Sequence, residues 1–136
     1  MTLVVDASVW VALFWPDDPR HATSRTWIER QVDAEEEILI PTLAVPEVAG
    51  PIRRRTGDHS LALQAVTAML ELPGVTVIPV TEELGRLSGE LAAVLALKGG
   101  DAVYAALAFT ESVTLISWDS EQLERCPGHV ATTTPD

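Results

Sequence analysis

The sequence predicts an α/β fold in which a parallel sheet is covered by helices on both faces. Two observations carry that expectation. Strand-like runs at Leu3–Val5, Ile38–Ile40, Val75–Ile78 and Val113–Ser117 are short and rich in Val, Ile and Leu without polar alternation, the pattern of strands buried on both sides. Between them lie stretches with apolar residues at helical spacing, so strand and helix alternate along the chain.

Taken in order, Leu3-Val4-Val5 ends at Asp6, and Ala7 to Trp15 reads as a helix until Pro16 stops it. The turn residues Pro16-Asp17-Asp18-Pro19 separate it from a second helix, His21 to Val32, whose Trp27, Ile28 and Val32 share a face. Ile38-Leu39-Ile40 is a buried strand closed by Pro41. A helix from Leu43 toward Arg55 then carries Glu47; Pro46 suits its first position, where a missing N–H costs nothing, and Pro51 predicts a bend near Gly50. Asp58 is placed to cap a helix through Leu61, Ala65, Ala68 and Leu72, which Pro73-Gly74 ends before the strand Val75–Ile78.

Thr81-Glu82-Glu83 starts the clearest helix, with Leu84, Leu87, Leu91 and Val94/Leu95 on one face and Gly99-Gly100 as its expected terminator. Asp101 is then expected to open a helix from Ala102 to Phe109. The strand Val113–Ser117 ends two residues before Asp119, a short helix runs through Arg125, and the Thr-rich tail from Pro127 to Asp136 has room for a last edge strand.

With 136 residues, 47% of them hydrophobic, the chain can bury one sizeable core and is short for two, so residues 1–136 are expected to form one domain. The uncharged stretch from His59 to Leu70 falls well short of the roughly 20 apolar residues that cross a bilayer, which predicts no membrane partner. Met1 to Asp6 lacks the basic start of a signal peptide, and the lone Cys126 excludes an internal disulfide framework or a cysteine-rich zinc site. A cytoplasmic location follows as the expectation. The net charge of -11, from 20 acidic and 9 basic residues, offers no broad basic footprint for nucleic acid; bound divalent cations would reverse that field locally.

Ligands of parallel sheets collect beyond the carboxyl ends of the strands, where the sequence puts Asp6 and Asp119. Asp101, behind the Gly-Gly pair, and Glu47, one turn into its helix, can reach the same rim. Four converging carboxylates repel one another and raise their own pKa values unless cations bind among them. An oxygen-only ligand set with no His or Cys at metal spacing favours magnesium or manganese, one or two ions, and such ions suit in-line phosphodiester hydrolysis. Each acid also has a bland reading: Asp6 and Asp101 as helix caps, Asp119 as an Asx turn, and Glu47 as a solvated residue of a first turn. Capping alone does not explain acids at the carboxyl ends of the first and a late strand together with two more.

The residues Val4-Val5-Asp6-Ala7-Ser8, Pro41 followed by Glu47, Gly100-Asp101-Ala102-Val103-Tyr104-Ala105-Ala106-Leu107-Ala108 and Leu115-Ile116-Ser117-Trp118-Asp119 resemble the PIN-domain family, and in length the VapC-type toxins of toxin–antitoxin pairs. The resemblance implies a three-layer α/β/α sandwich with a central parallel sheet. It also implies a magnesium- or manganese-dependent endoribonuclease, cleaving single-stranded or structured RNA, that is blocked by a cognate antitoxin and is frequently a homodimer. By position, Asp6, Glu47, Asp101 and Asp119 become its catalytic and metal-binding acids, with Ser8 and Ser117 as supporting hydroxyls. Pro46, Gly50 and Pro51 depart from the family's smooth helix around the glutamate.

Arg53-Arg54-Arg55 and Lys98 are candidate contacts for RNA phosphates or an antitoxin, against the plainer reading of solvated helix ends. Trp10, Trp15, Trp27 and Trp118 are assigned to packing in preference to base stacking. His21, His59 and His129 are scattered and given no chemistry. Two alternatives remain. A metal-dependent adhesion-type module would place a second Ser at the position of Trp10, and a catalytically inactive PIN-like interaction domain would keep the fold without the chemistry.

Overall fold

A computed structural model describes residues Met1–Asp136. Its elements in chain order are β1 (Thr2–Val5), α1 (Ala7–Phe14), α2 (His21–Asp33), β2 (Glu37–Pro41), α3 (Ala44–Thr56), α4 (His59–Glu71), β3 (Val75–Ile78), α5 (Glu82–Leu95), α6 (Gly99–Glu111), β4 (Thr114–Ile116), α7 (Ser120–Arg125) and β5 (Thr132–Thr133). All strands pair in parallel, in the order β3-β2-β1-β4-β5, with Val4 opposite Leu39 on one side and Leu115 on the other. Helices cover both faces, giving the expected three-layer α/β/α sandwich.

The strand order positions the site. The chain builds outward from β1 through β2 to β3, then returns across the sheet to lay β4 on the other side of β1. The β1–β4 boundary is therefore a topological switch point, where the connections diverge to opposite sides and leave a crevice at the carboxyl ends. Asp6 ends β1 there, and its amide continues the ladder by donating to the Ile116 carbonyl at 2.9 Å.

Burial explains why the central strands read as unbroken apolar runs. Val4, Val5, Ile38, Ile40 and Leu115 are fully buried, and each such side chain contributes roughly 1.5–3 kcal/mol over an exposed one. The edge strand β3 is half-exposed. Trp10 is fully enclosed, its ring N–H donating to the Val5 carbonyl at 3.3 Å, so α1 is pinned to the strand it follows. α6 lies across β1, β2 and β4, α5 packs on α6, and α3 bridges α1 and α4.

Several boundaries differ from the sequence expectations. Gly99 and Gly100 do not end α5; Ala96 does so, in the left-handed conformation with φ 56°, and the glycine pair forms the first two residues of α6. Lys98 accordingly precedes α6 at its cap position instead of closing α5. Asp101 is the third residue of α6 and caps nothing. Pro46 stands third in α3, not first, and α3 continues as one helix through Gly50 and Pro51; a proline in the first turn forfeits no intrahelical N–H bond. Val94 is 68% exposed, outside the apolar face assigned to it.

Candidate metal centre

Asp6 is the most constrained acid. Extended backbone at Asp6 caps α1, with Oδ2 accepting from the Ser8 amide at 2.9 Å, while Oδ1 accepts from Gln122 Nε2 at 3.2 Å. The side chain is 4% exposed, and burial pushes its pKa up against the lowering effect of those Ser8 and Gln122 contacts. Asp119 caps α7, accepting from the Gln122 amide at 2.8 Å. The capping reading of Asp6 is thus correct as local chemistry, while Asp119, read as an Asx turn, caps α7. These local roles do not exhaust the two residues, because both also face a shared cleft.

That cleft, about 690 Å³, is lined by Asp6, Glu47, Asp101 and Asp119 together, with Ser8, Asp18, Arg20, Arg54, Arg55 and Trp118 among its other walls. Asp101 reaches it from the first turn of α6. A helix N-terminus lowers a carboxyl's pKa, yet Asp101 is raised from 3.8 to about 7, by burial first and then by Asp119, Asp6 and Glu47, with Lys98 opposing. Glu47 is raised chiefly by burial and further by Asp6. The Tyr104 hydroxyl lies near enough to Glu47 to favour its charged form, but it has no partner at hydrogen-bond geometry and stays a buried, unsatisfied donor. Apart from that Tyr104 contact, nothing on neighbouring residues fixes the Glu47 carboxylate.

Ser8 and Ser117 sit behind the acids. Trp118 N donates to Ser8 Oγ at 3.0 Å, Asp119 N donates to Ser117 Oγ at 2.9 Å, and Ser117 Oγ donates to Gln122 Oε1 at 2.5 Å. Ser8 Oγ and Ser117 Oγ are 3.4 Å apart. The two hydroxyls therefore tie the end of β4 to the start of α1 and hold Asp119 near Asp6. Gln122 completes this layer: fully buried, it reaches Asp6 and, at 3.1 Å, the Asp101 carbonyl. Gly100 fits against Glu47, whose Oε2 occupies the space a Cβ there would take. Arg54 and Arg55 line the cleft, whereas Arg53 and Lys98 do not.

The sequence reading missed Gln122, Tyr104, Asp18, Arg20 and the role of Trp118. Gln122 carries a faint signal, since a Gln three residues after a capping Asp is the spacing of a capping box; here it turns inward instead of back to the cap. Trp10 and Trp27 are core residues, as expected; Trp15 and Trp118 are half-buried, pack against the core and also present ring faces to Arg55 and Arg20.

The donors fit a hard divalent cation: oxygen ligands only, an excess of negative charge, and three carboxyls, Asp6, Glu47 and Asp101, whose pKa values are raised first by burial and then by neighbouring carboxylates. As placed, no three of these side chains converge tightly enough to enclose an ion. Hydrogen bonds hold the Asp6 and Asp119 carboxylates in place, whereas those of Asp101 and Glu47 are less constrained.

The family model for the PIN domain matches residues 3–127. The chain belongs to the PIN-domain family. Solved structures with the same fold include VapBC2 from Rickettsia felis bound to a DNA fragment from its promoter, at TM-score 0.76 and 15% identity over 100% of each chain. VapC20 from Mycobacterium tuberculosis, a sarcin–ricin-loop-cleaving toxin, aligns at TM-score 0.76 and 22% identity over 94% of this chain and 96% of its own. VapBC-1 from nontypeable Haemophilus influenzae aligns at 0.69 and 15% over 98% of each. No curated protein has significant sequence similarity to the chain. In this PIN domain no single helix is long and apolar enough to cross a membrane.

Proposed function

We propose that this PIN domain is a magnesium- or manganese-dependent endoribonuclease acting on single-stranded or structured RNA in the cytoplasm, and the toxin of a toxin–antitoxin pair. The observation that carries the reading is one cleft in which Asp6, Glu47, Asp101 and Asp119 face each other without a cationic partner of their own. Such a cluster is unfavourable as it stands and becomes favourable once divalent ions enter.

Asp6, Asp101 and Asp119 would hold one or two ions, and Glu47 would hold an ion or orient the attacking water. Divalent ions there supply Lewis acidity toward a phosphate oxygen and acidify water. Asp6 serves as the fixed anchor, because hydrogen bonds from Ser8 and Gln122 set both of its oxygens and leave their remaining lone pairs for the cleft. Ser8 and Ser117 act as positioning residues. Tyr104 places an O–H donor beside Glu47, suited to fixing that carboxylate's orientation.

The toxin assignment draws on the fold shared with VapBC2, VapC20 and VapBC-1, the first and last of which are complexes with their antitoxins. A cognate antitoxin and a homodimeric assembly are part of the proposal. The adhesion-type alternative loses ground, because Trp10, where a second hydroxyl ligand would belong, is sealed in the core.

The deciding experiment incubates purified, antitoxin-free protein with mixed single-stranded RNAs in manganese, in magnesium or in chelator. Cleavage with either ion and none in chelator is the expected result. Cleavage that survives chelation would overturn the metal mechanism, and intact RNA in both metals would overturn the nuclease assignment.

A further inference from the structure

Two of the three arginines that line the cleft, Arg20 and Arg55, are held differently from the paired arginines of the surface. Elsewhere on the surface Arg25, Arg86 and Arg125 pair with glutamates on their own helices, Glu29, Glu82 and Glu121. Arg20 and Arg55, beside an acidic cluster in a chain of net charge -11, pair with no carboxylate. Each is laid instead over an indole: the Arg20 guanidinium is 5.0 Å from the Trp118 ring centroid and that of Arg55 is 4.7 Å from the Trp15 ring. Stacking on a ring fixes the plane of a guanidinium without using its N–H edges. An ion pair would have consumed them.

Trp118 is itself locked. Its backbone N–H donates to Ser8 Oγ and its indole N–H donates to Ser24 Oγ at 2.9 Å. The platform under Arg20 thus belongs to the same hydrogen-bonded layer that places Asp119, the next residue. Trp15, at the end of α1, carries Arg55 from the last turn of α3. Both guanidinium groups border the cleft that holds the carboxylates.

We infer that the Arg20–Trp118 and Arg55–Trp15 pairs are two pre-set phosphate clamps that seat a single-stranded RNA backbone across the acidic cleft. This rests on the nuclease reading for the identity of the polyanion. Free donor edges in a fixed plane suit the bidentate geometry of a phosphate, and holding the strand at two points compensates for the repulsion of an acidic protein. Single strands fit better than a duplex, because their backbone can bend to meet both clamps.

The test is fluorescence anisotropy of a fluorescein-labelled, mixed-sequence single-stranded oligoribonucleotide in calcium, with gels confirming that it stays intact. Arg20→Gln and Arg55→Gln are each expected to weaken binding about tenfold, the loss of one charge-assisted contact. Each should also flatten the slope of log K against log salt by about 0.7. Trp118→Leu removes the ring face and should match Arg20→Gln, adding little to it in the double variant. Arg86→Gln, on a distant helix, should change nothing. Unchanged affinity and slope in both arginine variants, or no saturable binding by the parent, would overturn the inference. So would a loss of affinity for a polyglutamate peptide with RNA binding intact, which would assign the arginines to a protein partner. Arginine-dependent binding without cleavage in manganese would instead leave the clamps standing and remove the nuclease reading.

Discussion

Asp6 and Asp58 perform the same local task in two regions of the molecule and end with different properties. Both are extended aspartates capping the helix that follows, with Ser8 N at 2.9 Å in one and Ser60 N at 2.8 Å in the other. Asp58, between α3 and α4, is exposed to water. Asp6 is buried at the switch point of the sheet, faces three further carboxylates, and has its pKa raised by burial. A cap becomes a candidate metal ligand through position alone, because only burial among like charges makes a carboxylate demand a cation.

Substitution can break that comparison. Asp6→Asn should lower RNA cleavage by more than the roughly 100-fold expected for an outer positioning residue. Thermal unfolding should be unchanged or shifted upward, because a buried member of a repelling cluster has lost its charge. A marked fall in melting temperature with cleavage retained would reduce Asp6 to the status of Asp58.

Gln122→Leu should cost about 10- to 100-fold in cleavage and, by chemical denaturation, about 1–3 kcal/mol in stability. It leaves the Ser117 hydroxyl without its acceptor and the Asp101 carbonyl and Asp6 Oδ1 without their donor. Gly100→Ala separates the two effects. A Cβ there displaces the Glu47 carboxylate, which should lower cleavage about tenfold, while the change from glycine in a helix should hold or raise stability by up to about 1 kcal/mol. Unaltered cleavage would show that Glu47 needs no fixed seat.

The same contrast has a pH signature. Between 3.8 and about 7 the folded chain keeps a proton on Asp101 that the unfolded chain has released. The metal-free protein therefore loses stability as pH rises through that window; the penalty is absent below it and complete above it. Asp101→Asn should raise the melting temperature at about pH 8 and leave it nearly unchanged at about pH 4; an equal shift at both would rule out the titration. The smallest effect belongs to Asp58→Ala, expected to cost about 1 kcal/mol of stability without touching cleavage.

Much of this was legible in the sequence. The first four strands lie within a residue of their expected bounds, β1, β2 and β4 because apolar runs must be buried on both sides of a parallel sheet. The cap at Asp58 and the start at Thr81 stand where local hydrogen bonding put them. Boundaries failed where two local rules competed. Gly99-Gly100 reads equally as an ending and as a beginning, and α5 ended instead at Ala96, three residues earlier than the pair, in a left-handed conformation that glycine would have suited better.

For the candidate site, the chain alone determined which carboxylates exist and which of them follow strands, since residue identity and strand periodicity are local properties. The tertiary structure decided that Asp101 and Glu47 join them, that Gln122 turns inward to hold Asp6, and that Trp118 and Trp15, packed against the core, also carry arginines. Those outcomes depend on groups as far apart in the chain as Asp6 and Gln122. Their burial and charge environment come into being only when the return from β3 to β4 closes the crevice beside β1.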